Sequence, residues 1–192
     1  INRMHERIRG VLPEGTAQFP AGTPYRASDP ELLRWVWATL VHTSLGTYQM
    51  FLAPLGDDER ERYYQESKTL ARLFRVPEGL LPAGYDDFLA YWQAMIDGPT
   101  LEITPTARAL GDDIIHPPIT GFPRWLGDLA STATLGLLEP AIRERYGFRW
   151  SPRRGRAWRL SRGVLARTLP RVPDLARISW SARRAERALV GA

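Results

Sequence analysis

Three histidines, His5, His42 and His116, are the side chains of this 192-residue chain best suited to hold a metal or move a proton near neutral pH. Cysteine is absent, which rules out disulfides, thiolate nucleophiles and Cys-bound metals within this sequence. His5 stands in MHERIRG, which reads as a short helix with Met4 and Ile8 on one face and Gly10 as its C-cap. On residue type alone, a lone helical histidine is more often a packing or surface residue than a ligand. His42 falls five positions beyond Trp37, roughly 140° around the same helix. It reads as a polar residue at a helix–helix boundary. His116 precedes Pro117 and Pro118 in a loop and is given no role.

The carboxylates suggest little chemistry. Glu59, Glu61 and Glu66 alternate with Arg60, Arg62 and Lys68, the pattern of a solvated helix face with i,i+4 pairs. Glu102, Asp112 and Asp113 lack the Glu-x-x-His spacing of a carboxylate-bridged di-iron bundle. No G-x-S-x-G, Walker loop, H-E-x-x-H or G-x-G-x-x-G occurs, which disfavours hydrolase and nucleotide chemistry.

The elements that must carry these residues are helices. From Ser28 to Phe74 the spacing predicts a helical hairpin. Ser28 with Glu31 makes a capping box, and Pro30 occupies the first turn, where its missing N–H costs nothing. A stripe of Leu33, Val36, Leu40, Thr43, Thr47 and Met50 predicts the buried face. After Pro54, Leu55 and Gly56, either Asp57 or Asp58 caps the second helix. Tyr63, Leu70 and Leu73 complete the expected core of the hairpin. Before it, the Pro- and Gly-rich segment from Val11 to Ala27 reads as a loop long enough to be functional or to wrap the bundle. After it, Asp86 or Asp87 opens a helix through Met95, and Thr104-Pro105 caps a short one. A longer helix spans about Pro123 to Leu138 with a break at Pro140. Ser151-Pro152 caps the next, and Trp180 to Val190 forms a last one. The reading is an all-α, multi-helix bundle, one helical domain over residues 1–192.

Composition supports a packed core: 44% of residues are apolar and seven are tryptophan. No apolar run is long enough for a transmembrane helix, and no signal peptide is evident, which favours a cytoplasmic setting for this stretch. A helix without an N-cap at residue 1 suggests a chain that begins mid-domain, as the C-terminal portion of a larger helical fold. Charge is uneven. From Ala141 to Ala192 fourteen arginines face three acids, a local net of +11, whereas residues 1–140 carry a net of −6. Such an Arg-rich tail (141–192) could touch an anionic membrane surface weakly. An Arg-rich solvated face is the favoured reading, and no nucleic-acid module accompanies it.

Three separated blocks, DPELLRWVWATL, ERERYYQES and RVPEGLLPAGYDDFLAYWQAMI, resemble the family of latex-clearing rubber oxygenases and mycophenolic-acid-pathway oxygenases. The likeness runs from about Met4 to about Trp158. It implies an all-helical fold that holds haem b through one histidine and uses dioxygen on an apolar, isoprenoid-like substrate. The MHERIRG block resembles the family's histidine-bearing segment, so the resemblance makes His5 the axial iron ligand. It also makes Trp37 and Tyr48 candidate pocket-lining residues on the helix from Pro30 to Met50. Trp37 departs from the family: many relatives read WVHAT where this chain reads WVWAT. An Arg/Lys-Thr segment tied to catalysis in the latex-clearing branch would lie upstream of residue 1. These departures motivate an alternative, a non-catalytic helical binding or scaffold protein that keeps the fold.

Overall fold

The computed structural model describes residues 2–116 and 124–173, together with residues 180, 182 and 184. The chain is predominantly helical, with one two-stranded sheet near its start. Helix α1 is a single turn, Asn2–His5, and it ends earlier than the sequence suggests. Gly10 is not its C-cap. It belongs to β1 (Arg9–Val11), which pairs antiparallel with β2 (Pro24–Arg26) in the register Arg9 to Arg26, Gly10 to Tyr25 and Val11 to Pro24. A Cβ at Gly10 would lie 3.1 Å from the Tyr25 ring, so the glycine admits a close cross-strand neighbour.

A lone two-stranded hairpin is marginal in water, and this one is fastened at several points. Ala17 donates its N–H to Glu102 Oε2 at 2.7 Å, and Thr106 donates its hydroxyl to Glu14 Oε1 at 2.7 Å. Arg75 pairs with Glu6 at 2.5 Å. The segment from Val11 to Ala27 is thus wrapped onto the helices and held there.

Helix α2 (Pro30–Phe51) is capped by Asp29, one residue later than expected. Asp29 Oδ1 accepts the N–H groups of Glu31 and Leu32 at 2.9 and 3.4 Å. The expected Ser28–Glu31 box is not formed; Glu31 pairs instead with Arg34 at 3.4 Å. Helix α3 (Asp57–Leu73) has Gly56 as its N-cap, not an aspartate, and Glu59 reaches back to the Gly56 N–H at 2.9 Å. Asp57, Asp58 and Glu59 lie in the first turn, where the helix dipole favours negative charge. Helix α4 (Tyr85–Asp97) starts after Gly84.

These three helices enclose the main core of Leu33, Trp37, Ala38, Val41, Tyr64, Ala71, Phe88, Trp92 and Ile96. Trp37 is fully buried, with its ring 5.9 Å from Tyr64 and 5.8 Å from Phe88. Its indole N–H donates to the Ser67 carbonyl at 3.0 Å, so the buried polar atom is satisfied. The expected stripe is therefore offset. Leu33 is buried as expected, but Val36, Leu40 and Leu73 are exposed, and Tyr63 and Leu70 are only half-buried. The inward residues of α2 step by four, through Leu33, Trp37, Val41 and Leu45.

The face of α3 read as solvated is partly structural. Lys68 is buried and donates to the Ala83 carbonyl at 2.9 Å, Tyr64 donates to the Pro82 carbonyl at 2.6 Å, and Glu61 accepts the Tyr85 N–H at 2.7 Å. These bonds satisfy the polar backbone of the connector between α3 and α4.

Helix α5 (Pro105–Ile115) is capped by Thr104, whose hydroxyl accepts the Ala107 N–H at 3.2 Å. Helix α6 spans Arg124–Leu137, and Pro140 begins a separate helix, α7 (Pro140–Tyr146). Gly147 closes α7 in the left-handed conformation at φ 74°, the usual place for glycine. Helix α8 (Pro152–Thr168) is capped by Ser151, as the sequence suggests. It packs on α2 and α6. The helix expected from Trp180 to Val190 lies, apart from residues 180, 182 and 184, outside the described residues.

Candidate functional site

Helix α2 walls an apolar cleft of about 390 Å³ together with α4, the connector at Leu101 and Ile103, and α7. Trp35, Thr39, Thr43, Thr47 and Met50 of α2 face it in three- and four-residue steps that keep one side of a helix in register, with His42 and Gly46 beside them. Gly46 borders open space at that wall: a Cβ built there meets nothing within 4 Å.

The cleft is built around one inserted ring. Trp92 of α4 stacks on Trp35 at 5.1 Å between centroids and on His42 at 3.9 Å, with planes 21° and 9° apart. Trp35 and His42 are seven residues apart, two turns or roughly 10 Å along the helix. The Trp92 indole thus occupies the slot between them. Three rings stacked in a row make that side of the cleft stiff and largely apolar, which suits an apolar ligand.

His42 is the polar group at that wall. Burial lowers its pKa below the ordinary imidazole value of 6.5, and Glu139, with its Oε1 4.0 Å from Nε2, pulls weakly the other way. Desolvation dominates, so the ring is neutral at neutral pH and offers one N–H donor and one acceptor. Such a ring can hydrogen-bond the polar tip of a bound molecule or carry a proton. By its sequence, His42 reads as a polar residue at a helix–helix boundary. Nothing local could reveal that Trp92, fifty positions away, would lie flat against it.

The three site residues drawn from the resemblance lie in three separate places. Trp37 is in the core. Tyr48, eleven residues further along α2 and roughly 16 Å away, lines a shallow groove with Leu55, Arg62 and Glu66. His5 ends α1, half-buried beside the exposed Met4 and Ile8. Its ring makes no hydrogen bond among the described residues, and it lines none of the clefts described here. As a donor it suits iron: a half-buried imidazole without another partner, in a sequence with no thiolate to compete. The described residues do not enclose a porphyrin around it. His116 is exposed, with Nδ1 3.2 Å from Asp112 Oδ1. Among the described residues no three His, Asp or Glu side chains gather as a metal site.

The family model described as "ER-bound oxygenase mpaB/B'/Rubber oxygenase, catalytic domain" matches residues 1–167. No curated protein and no solved structure matches the chain.

Proposed function

The chain belongs to the mpaB/rubber oxygenase catalytic-domain family, and from that premise we propose that it is a haem b-dependent oxygenase that uses dioxygen on an apolar, isoprenoid-like substrate. The family match carries the reading. His5 would hold the iron, and the haem would supply the centre at which dioxygen is activated. The chain's own contribution is binding and exclusion of water. The wall of Trp35, Trp92 and Met50 suits the apolar body of a substrate, and Gly46 borders open space beside it. A neutral His42 can orient a polar end by one hydrogen bond without placing a charge in the cleft.

His5 is not among the residues that line the cleft, so the two assignments can fail separately. The experiment is an absorbance spectrum of the purified protein from haem-replete cells. A Soret band with stoichiometric haem supports the oxygenase reading; a colourless protein favours the non-catalytic helical binding protein. Within a haem-bound sample, His5→Ala should abolish or severely weaken the band, while His42→Ala and His116→Ala leave it nearly intact. Loss with His42→Ala and retention with His5→Ala would refute the ligand assignment.

A further inference from the structure

Helix α8 carries a surface that the oxygenase reading does not use. Its inner side is fixed by Gly155 and Trp158, both buried. The Trp158 indole lies so close to Gly136 of α6 that a Cβ there would fall 2.4 Å from the ring, and it meets Phe51 of α2 edge-on at 6.2 Å. With Trp158 inward, the helical repeat turns Arg153, Arg156, Leu160, Val164 and Arg167 outward. All five are exposed, Leu160 at 72% and Val164 at 60%.

Charge on this side is uncompensated. Nine arginines (145, 149, 153, 154, 156, 159, 162, 167 and 171) and no acid occupy residues 145–173. Among the described residues no carboxylate pairs with any of them. Several bond to backbone carbonyls instead, as Arg154 does to Arg149 and Arg167 to Gly163. A solvated basic face would account for the arginines. It does not account for two aliphatic side chains one turn apart in their midst.

We propose that the outward face of α8 binds the anionic surface of a phospholipid bilayer, with Leu160 and Val164 entering the headgroup boundary and Arg153, Arg156, Arg159 and Arg167 engaging lipid phosphates and carboxylates. The helix lies along the surface. No helix among the described residues is long and apolar enough to cross a membrane. Arginine stems cover apolar ground while their guanidinium groups stay with the headgroups, and the combination of cationic flanks and a small apolar centre is that of an interfacial helix. A nucleic acid would use the charge but leave Leu160 and Val164 in water, and the face offers no aromatic ring for a base to stack on. A second copy of the chain would bring like charges together.

The test is co-sedimentation of the full chain with phosphatidylcholine vesicles, with and without phosphatidylserine. Binding should require phosphatidylserine and fall with salt. Replacing Arg153, Arg156, Arg159 and Arg167 by Gln should reduce partitioning about fivefold for each arginine removed. Leu160→Ser with Val164→Ser should weaken it several-fold at fixed salt. Far-UV circular dichroism checks that these exposed substitutions leave the helices intact. No binding to phosphatidylserine vesicles, or equal binding to phosphatidylcholine alone, would overturn the proposal. So would tight binding to duplex DNA or transfer RNA that displaces the vesicles and is indifferent to the serine pair.

Discussion

Helices α2 to α4 and helices α5 to α8 obey the same local rules of capping and period, yet they use their side chains differently. The first group buries large rings and gives three of its polar intrusions a backbone carbonyl: Trp37 on Ser67, Tyr64 on Pro82, Lys68 on Ala83. The second fits through small residues, with Gly136 receiving the Trp158 indole and Gly111 receiving Tyr146, whose Cε1 would lie 2.6 Å from an added Cβ. On α8 it leaves Arg153, Arg156, Arg159, Arg162 and Arg167 facing outward. One half is held by what it encloses; the other is thin and turns its chemistry to the surface. Stability and surface function are therefore separable in this chain, and three measurements can break or sharpen that division.

The largest effect is expected in the first half. Trp37→Ala removes a fully buried indole between Tyr64 and Phe88 together with its bond to the Ser67 carbonyl, and should cost about 3–5 kcal/mol. Leu40→Ala, one turn away on the exposed side of the same helix, should cost less than about 1 kcal/mol. Urea denaturation of both variants decides it. Similar losses would mean that α2 buries both faces.

A smaller effect is expected in the second half. Gly136→Ala forces a methyl group against the Trp158 ring, which is itself packed on Phe51, and should cost about 1–3 kcal/mol by overpacking. Thermal unfolding that leaves the melting temperature unchanged would show α6 and α8 to be free to separate.

The smallest effect lies where the cleft meets the first half. Burial lowers the His42 pKa, so the unfolded chain takes up a proton before the folded one does. The contribution to stability is fully present above the ordinary imidazole value of 6.5 and is lost as pH falls from there through the lower folded value. Glu139 offsets part of this. His42→Phe should flatten the pH dependence of the urea midpoint between neutral and mildly acidic pH. A midpoint that rises on acidification would mean that the Glu139 ion pair outweighs desolvation.

Much of the fold was legible because its signals are local. Thr104-Pro105 and Ser151-Pro152 announce helix starts through the residue that caps and the one that needs no N–H, and both act within four positions. The inward face of α2 was not legible for a definite reason. Leu33, Val36 and Leu40 and Leu33, Trp37 and Val41 both satisfy a helical period, and only the arrival of Tyr64 and Phe88 selects the second. The outer part of the first stripe was not idle: Thr43, Thr47 and Met50 line the cleft. Capping at α3 and α4 was misplaced because Gly56 and Gly84 serve as caps with carboxylates reaching back from Glu59 and Asp87, a role glycine does not advertise. The cleft itself depends on Trp92 meeting His42 across two helices, a pairing with no sequence signature.

That pairing has an optical consequence. An imidazolium in van der Waals contact with an indole drains its excited state, whereas a neutral imidazole does so far less. With Trp92 held 3.9 Å from His42 and coupled to Trp35 on its other side, the protein carries its own indicator. The share of emission that Trp92→Phe removes from the seven-tryptophan total would report, without any added dye, the protonation of His42.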